Sequence, residues 1–574
     1  MSGVYGVDWV DWAVIIGYLV LVSAVGIWSV RRVKSTASFF ISDRKYGKVM
    51  LMFFTFGAGT HSDQAVLVAS KTYQSGISGI WYEWLWLFCT PFFWLLAPVF
   101  RRMRAVTTGD FFQARYNRIV SVLYSLVAML QQMVVIGLML KASSAMITAV
   151  SAGQINANFA ILAMTVVFVT YSMFGGLGAA IVTNFVQGIL TIVFSFLILP
   201  FSLKAVGGLS GLREVLSPEM FEIVAPREIT AFYIAVIAIN ALIGWVTQPA
   251  TMGMSGAGKT EMEGRVGVMC GIFIKRICTI AWAMTALCAA GYYIGKKQID
   301  PDLAFGLMAR EVLPQAGRGL IGLFIASMFA SVMSTCNAVM VSSAGLLTRN
   351  IYQPLIAPGK PDRHYTKVGR FFSLLIVVCG ILFAYRFETV VHGMKLFWKI
   401  CAMMGIAYFL GLFWRKTTSA GALAGTLAAF ATLLFTSTIT IFGRVIWDFN
   451  AHLVEYLPSF MVFEGKLHLP WQLISYLTVG FIAGIVVSLF TKPVAKEKLD
   501  KFYECIRTPI TPDEPETEPF TLPPGVEPGP RNVLIQHPDF EIPKPTVTSM
   551  VGFLSGWAGV ATLIFVFYLI MHGW

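Results

Sequence analysis

Fourteen runs of roughly twenty apolar residues recur along the chain, each about long enough to cross some 30 Å of hydrocarbon. They fall near 9–30, 49–70, 80–100, 120–149, 157–174, 178–203, 230–252, 266–294, 319–348, 368–388, 395–414, 418–439, 470–491 and 549–572. In lipid every backbone N–H and C=O must be satisfied inside the protein, so a chain written this way folds as a bundle of helices. The composition agrees: 56% of the 574 residues are hydrophobic and 13% charged, against about 25% charged in soluble domains. These features predict an all-α polytopic membrane protein. The opening MSGVYGVDWVDW is acidic and runs straight into a full-length span, which reads as a retained first helix rather than a cleaved leader. The 8 cysteines are scattered through apolar runs without a C-x-x-C, which suits small core residues better than a disulfide framework or a metal centre.

A net charge of +13 would suggest a nucleic-acid partner in a soluble protein, but here its placement explains it without one. Lys and Arg gather in alternate connections, most densely in RRVKSTASFFISDRKYGK and RRMRAVTTGDFFQARYNR, and the positive-inside rule then puts both termini outside a plasma (cell inner) membrane. Residues 497–545 hold eleven of the 25 prolines, a density that blocks helix and sheet and predicts an extended cytoplasmic linker to the last span. The outer segment 440–469 mixes aromatic and charged residues and reads as a surface-lying stretch.

Two spans are interrupted in comparable ways. The second carries GAGTHSDQ inside FFTFGAGTHSDQAVLVAS, and the seventh carries TQPAT. Clustered glycine and proline break the helical ladder, and the freed backbone groups must be re-satisfied by protein, water or an ion. The two breaks lie five spans apart, which predicts two five-helix halves, and paired broken helices point to a midplane binding site of a secondary transporter.

Residues 253–260, GMSGAGKT, match G-x-x-x-x-G-K-[ST] in full. A nucleotide-binding loop needs a β-strand before it and a soluble parallel sheet around it. Here a proline-broken span precedes and another follows, so the stretch reads as a cytoplasmic turn and no nucleotide partner is expected. No H-E-x-x-H or paired nucleophile and base is found, which argues against an enzyme.

Taken in order, SFFISDRKYG, GAGTHSDQ, SGIWYEW, TTGDFFQARYN, YSMFGGLGAAIVTNFVQG, GIFIKRI, FASVMSTCNAVMVSSAGLLTRNIYQP and FLGLFWRKTTSAGALAG make the chain resemble the sodium/solute symporter family, in the branch of sodium/galactose and sodium/glucose transporters. The resemblance implies about fourteen transmembrane helices with a five-plus-five inverted repeat in a leucine-transporter-like fold. Its parts would be a leading helix and basic loop (1–45), a first repeat (46–204), an outer loop (205–229), a second repeat (230–416), two additional helices (417–492), the Pro-rich linker (493–548) and a final helix (549–574). It implies alternating access driven by sodium, with the ion held by carbonyls of Gly57, Thr60 and Ser331 and hydroxyls of Ser334 and Thr335. Oxygen ligands at an unwound turn suit a hard cation independently of the resemblance. Asn184 replaces the aspartate on which a second sodium depends in some members, which implies one sodium per solute.

For the solute, the resemblance implies Gln64, Glu83, Gln248 and Lys275, with a sugar or polyol as the first expectation. Intramembrane Glu83 and Lys275 could equally form a structural ion pair. Ala250, Trp86 and Met394 stand where sugar carriers have an aromatic gate, a hydroxyl and a glutamine, which suggests a different or smaller solute. His61 and Asp63 match no sugar ligand, although Asp63 falls where the family can have a glutamate; Asp63 could bind a cationic or polyhydroxyl solute, or the two form a proton-sensitive gate or a hydrogen-bonded pair at the outer gate. Lys141 reads as snorkelling, and Lys399 as a cation that could face the pathway. The alternatives are proton-coupled or sodium-coupled transport of an amino acid, monocarboxylate or cationic osmolyte, or a transport-inactive sensor.

Overall fold

The computed structural model describes residues 7–30, 47–105, 107–225, 228–296, 298–441, 444–512, 514–515 and 517–573; the side chains of 22–23, 25–30, 167, 170–186, 333–334 and 341 lie outside that description. The basic loop RRVKSTASFFISDRKYGK therefore falls almost wholly outside it. Among the described residues nine helices are long and apolar enough to cross a membrane, or up to ten if the bent pair Ala231–Trp245 and Pro249–Gly256 is one span. The apolar runs 157–174 and 178–203, expected as two spans, are joined in one helix, Ala157–Ala205. Gly175, Gly176 and Leu177, the only residues between them, hold no proline or capping residue to force a turn.

Both expected breaks are present. The second run divides into Lys48–Gly59 and Ser62–Ser75, with Thr60 and His61 extended between them. The seventh divides at Val246–Gln248, where Pro249 opens the next helix and the axes bend by 73°. Proline suits the first turn of a helix because its missing N–H would be unsatisfied there anyway. The first broken span lies against Glu261–Tyr293, and Lys48–Gly59 also packs on Ala157–Ala205, which in turn packs on Leu320–Leu346. The break is thus enclosed by three long helices.

GMSGAGKT ends the helix Pro249–Gly256 and starts the next. Thr260 caps Glu261–Tyr293 by accepting from the Met262 N–H, and Arg101 donates to the Gly258 carbonyl at 3.0 Å. No strand precedes the motif among the described residues.

Peripheral helices turn apolar faces outward. Phe371, Val378 and Leu382 on Asp362–Arg386, and Val551, Leu554 and Phe565 on Val547–His572, are exposed, as lipid-facing surfaces require. Helices Ser419–Phe435 and Leu469–Phe490 meet through small residues: a Cβ at Gly425 would lie 2.8 Å from the Gly480 carbonyl oxygen. Gly425→Val should therefore cost about 1–3 kcal/mol by overpacking. A fall in the thermal unfolding midpoint of the purified protein measures it.

The segment 438–469 includes two short antiparallel strand pairs, Thr438–Ile441 with Arg444–Asp448 and Val462–Phe463 with Lys466–Leu467. The Pro-rich segment is the main correction. It is not a free tether but a strap: an amphipathic helix, Lys496–Arg507, buries Leu499, Phe502, Tyr503 and Cys505, and the prolines that follow lead a coil across the same face. Ion pairs pin it. Arg104 pairs with Glu514, and Arg415 with Asp500 and with Glu541, the latter at 2.8 Å. Phe502 stacks on Phe520 at 5.0 Å and meets Phe111 edge-on at 5.4 Å. Phe111 stacks on Tyr408, Tyr408 on Phe100, and Phe100 meets Trp245, so an aromatic column leads from the strap to the second broken span.

Candidate functional site

A helix that stops inside a membrane leaves its last carbonyls without N–H partners. At the end of Lys48–Gly59 side chains take that role. His61 Nε2 lies 3.0 Å from the Ala58 carbonyl oxygen. The Gly59 carbonyl accepts from Gln64 Nε2 at 3.1 Å and from the Lys275 ammonium at 2.7 Å. The Thr60 carbonyl accepts from Gln187 Nε2 at 3.3 Å. Gln64 also closes the opposite end of the break, its Oε1 accepting from the His61 N–H at 3.2 Å. The break is thus a built element. The half-helix beyond it is anchored by Ser62 to Ser143 (2.7 Å), Ser70 to Asp302 (2.6 Å) and Lys71 to Glu228 (2.6 Å).

Beside the break lies a cavity of about 260 Å³. Of the residues singled out from the sequence, His61, Asp63, Gln64, Glu83, Gln248, Lys275 and Thr335 all line it. So do Trp86, Ala250 and Met394, the three departures from the sugar-carrier pattern. Phe54, Phe93, Trp245 and Phe397 supply apolar walls, giving a largely apolar pocket with a few convergent polar groups, the usual make-up of a small-molecule site.

The charges are arranged unevenly. Glu83 is buried and its Oε2 accepts from Arg276 at 2.6 Å and lies 3.1 Å from the Lys275 ammonium, so the ion pair foreseen between Glu83 and Lys275 is present as part of a triad. Arg276 donates also to the Glu83 carbonyl at 2.7 Å. Among the described residues Asp63 has no such direct counter-ion: His61 Nδ1 is 3.7 Å from its Oδ1, and that oxygen has no hydrogen-bond partner.

The residues of the implied sodium set are placed as follows. Gly57 is buried in the last turn of Lys48–Gly59, and Thr60 is buried at the break. Ser331 is buried on Leu320–Leu346, and Thr335, one turn further, reaches the cavity. Gly57, Thr60 and Ser331 do not line that cavity. The side chains of Ser334 and Asn184 lie outside the described residues. Lys399 is half-buried and does not line the cavity, and Lys141 is half-buried on Arg118–Val150.

Sequence reasoning missed Gln131, Gln132, Gln187 and Arg276. Gln131 and Gln132 are buried and line the cavity from Arg118–Val150. Adjacent amides in an otherwise apolar span are the signal that marks them. Arg276 adjoins Lys275 in FIKRI, and no periodicity says which of the two faces the carboxylate.

A family model described as the sodium:solute symporter family matches residues 39–429. The chain belongs to that family. This symporter is 24% identical over 481 residues to the sodium/glucose cotransporter of Vibrio parahaemolyticus, covering 75% of this chain and 86% of that protein. It is 24% identical to the human sodium/myo-inositol cotransporter 2 (85% and 77% covered) and 22% identical to the osmoregulated proline transporter of Bacillus subtilis (83% and 94%). In structure it resembles a Na+-coupled sialic acid symporter in a substrate-bound outward-open state, with a TM-score of 0.69 at 17% identity over 85% of this chain and 99% of that one, a likeness of fold. The chain is accordingly an integral multi-pass membrane transporter, not an enzyme, with sodium as its co-substrate.

Proposed function

We propose that the cavity beside the break is the solute site of a sodium-coupled symporter for a small polar organic solute, with a sugar or polyol as the solute class. The observation that supports this most is that both broken spans and the Glu83–Lys275–Arg276 triad converge on one cavity of about 260 Å³. That volume lies below the roughly 300–1,000 Å³ of drug-sized pockets, which suits a solute of monosaccharide size or less. Gln64, Glu83, Gln248 and Lys275 would meet it, joined by Gln131 and Gln132, while Trp86 offers an aromatic face in place of the missing gate at Ala250. His61 and Asp63 stand between this cavity and the break.

Sodium would bind where Gly57, Thr60, Ser331, Ser334 and Thr335 approach, drawing Lys48–Gly59 toward Leu320–Leu346. Residues 46–204 and 230–416 would form the two inverted five-helix halves, within fourteen spans, in the plasma membrane with both termini outside. Coupling follows from population shift: an ion that ties the two elements favours one conformation and organises the adjoining solute site, and solute tightens sodium by the same factor.

Thr335→Ala tests the sodium site. Its hydroxyl has no partner other than the proposed ion among the described residues. Its loss should raise the half-saturating sodium concentration for uptake about tenfold, the equivalent of about 1.4 kcal/mol, at unchanged expression. Uptake with unaltered sodium dependence would remove Thr335 from the site. The rival reading, a different solute class such as an amino acid, is favoured by the uncompensated carboxylate of Asp63, and a binding screen across sugars, polyols and amino acids separates the two.

A further inference from the structure

Four buried oxygen atoms around the break have no hydrogen-bond partner among the described residues: Thr60 Oγ1, Asp63 Oδ1, Gln187 Oε1 and Thr335 Oγ1. Their residues are 1%, 3%, 0% and 5% exposed. An unsatisfied buried polar atom is costly, and a cluster of them marks a place where something else binds.

The four belong to elements that meet here. Thr60 and Asp63 flank the break. Gln187 reaches in from Ala157–Ala205, spends its amide N–H on the Thr60 carbonyl and leaves its oxygen over. Thr335, on Leu320–Leu346, lines the cavity that Asp63 also lines.

Two neighbouring donors are engaged elsewhere. His61 Nε2 faces the Ala58 carbonyl, which can only accept, so that nitrogen carries a proton, while Nδ1 lies 3.7 Å from Asp63 Oδ1, beyond hydrogen-bond reach. The Lys275 ammonium, which could have neutralised Asp63, is engaged by Gly59 and Glu83. An amide oxygen, a carboxylate oxygen and two hydroxyl oxygens are the hard ligands that a sodium ion takes.

We propose that Asp63 Oδ1 and Gln187 Oε1 join Thr60 Oγ1 and Thr335 Oγ1 as ligands of the coupling sodium, with Asp63 the carboxylate that balances its charge. This rests on the sodium-coupled reading and extends it. Asn184 stands where the resemblance puts an aspartate, so Asp63 on the broken span is the carboxylate this proposal assigns to the ion. Sodium then bridges three elements, and because Asp63 also borders the solute cavity, the ion and the solute share a wall.

The test is thermal unfolding of the purified full-length symporter against NaCl, with choline chloride holding ionic strength constant. The wild type should gain stability with a measurable half-saturating sodium concentration. Asp63→Asn should raise that concentration about tenfold or more, and Gln187→Leu and Thr60→Val about fivefold each. Thr60→Val keeps the backbone carbonyl and removes only the hydroxyl, so its effect isolates the side chain. In choline alone Asp63→Asn should be at least as stable as the wild type, because it removes a buried charge that lacks a counter-ion; a merely structural aspartate would give the opposite. Wild-type sodium dependence in all three variants overturns the proposal, as does an Asp63→Asn variant that keeps its sodium response and loses only solute protection. A wild type that ignores sodium overturns the underlying sodium-coupled reading instead, whatever the variants do.

Discussion

Glu83→Ala should destabilise the protein by about 3–5 kcal/mol and abolish uptake, because it strands two cations in the membrane interior. Glu83 is buried, and its Oε2 is shared by Arg276 at 2.6 Å and Lys275 at 3.1 Å. Arg276 would keep only the backbone carbonyl of residue 83, and Lys275 only that of Gly59. Neither acceptor carries a full negative charge. Glu83→Gln should cost less, since an amide oxygen still accepts, yet it leaves the same two charges uncompensated. The double variant Glu83→Gln with Arg276→Gln should recover much of the stability, because the residual cation is then Lys275 alone, still on the Gly59 carbonyl. Thermal unfolding of Glu83→Gln, Arg276→Gln and the double variant gives the coupling. Additive losses would show that the triad does not act as a unit.

Arg104→Ala should release the strap. Arg104 and Glu514 have side chains 1% and 3% exposed and lie 410 residues apart in sequence, so their pairing closes a long loop through a buried ion pair. The backbone of Arg104 has φ +52°, a conformation a non-glycine residue holds only when its surroundings fix it. Removing the guanidinium leaves Glu514 buried without its counter-ion, a change that costs several kcal/mol. The strap's own helix reports the event. Cys505 is buried and lies beside the Arg104 guanidinium, and its Sγ donates to the Arg102 carbonyl at 3.2 Å. Alkylation at Cys505, read by mass spectrometry, should be about a hundredfold faster in Arg104→Ala than in the wild type, in line with local opening of a segment that has lost its anchor. Equal rates would mean that the aromatic contacts of Phe502 and Phe520 hold the strap without the pair.

The parts of this molecule that were legible in the sequence are those written as local conflicts. GAGTHSDQ and TQPAT cannot continue a helix in lipid, and the chain does break at Thr60–His61 and at Val246–Gln248. Glu83 and Lys275 are too costly to lie idle in a span, and they pair. What was not legible depends on contacts between distant segments. Proline density in 497–545 accounts for the coil from residue 508 onward but not for the proline-free helix Lys496–Arg507, and it says nothing of Arg104 or Arg415, whose partners lie far along the chain. Gln187 falls in an apolar run where its amide looks incidental, and only the fold sets it against the Thr60 carbonyl. That contact alters the expected use of Thr60: one lone pair of its carbonyl is taken, and its hydroxyl is left unpartnered. The runs 157–174 and 178–203 were expected as two spans, yet the glycines between them permit a turn without requiring one, and one helix joins them.

The central claim is that sodium drives a small polar solute through the cavity beside the break. Its most direct test is uptake into proteoliposomes holding the purified symporter, with a radiolabelled monosaccharide and polyol panel outside. The account predicts accumulation of at least one panel member under an inward sodium gradient, none when choline replaces sodium, and loss of accumulation in Glu83→Gln. Accumulation driven equally by an inward proton gradient in sodium-free medium would contradict it.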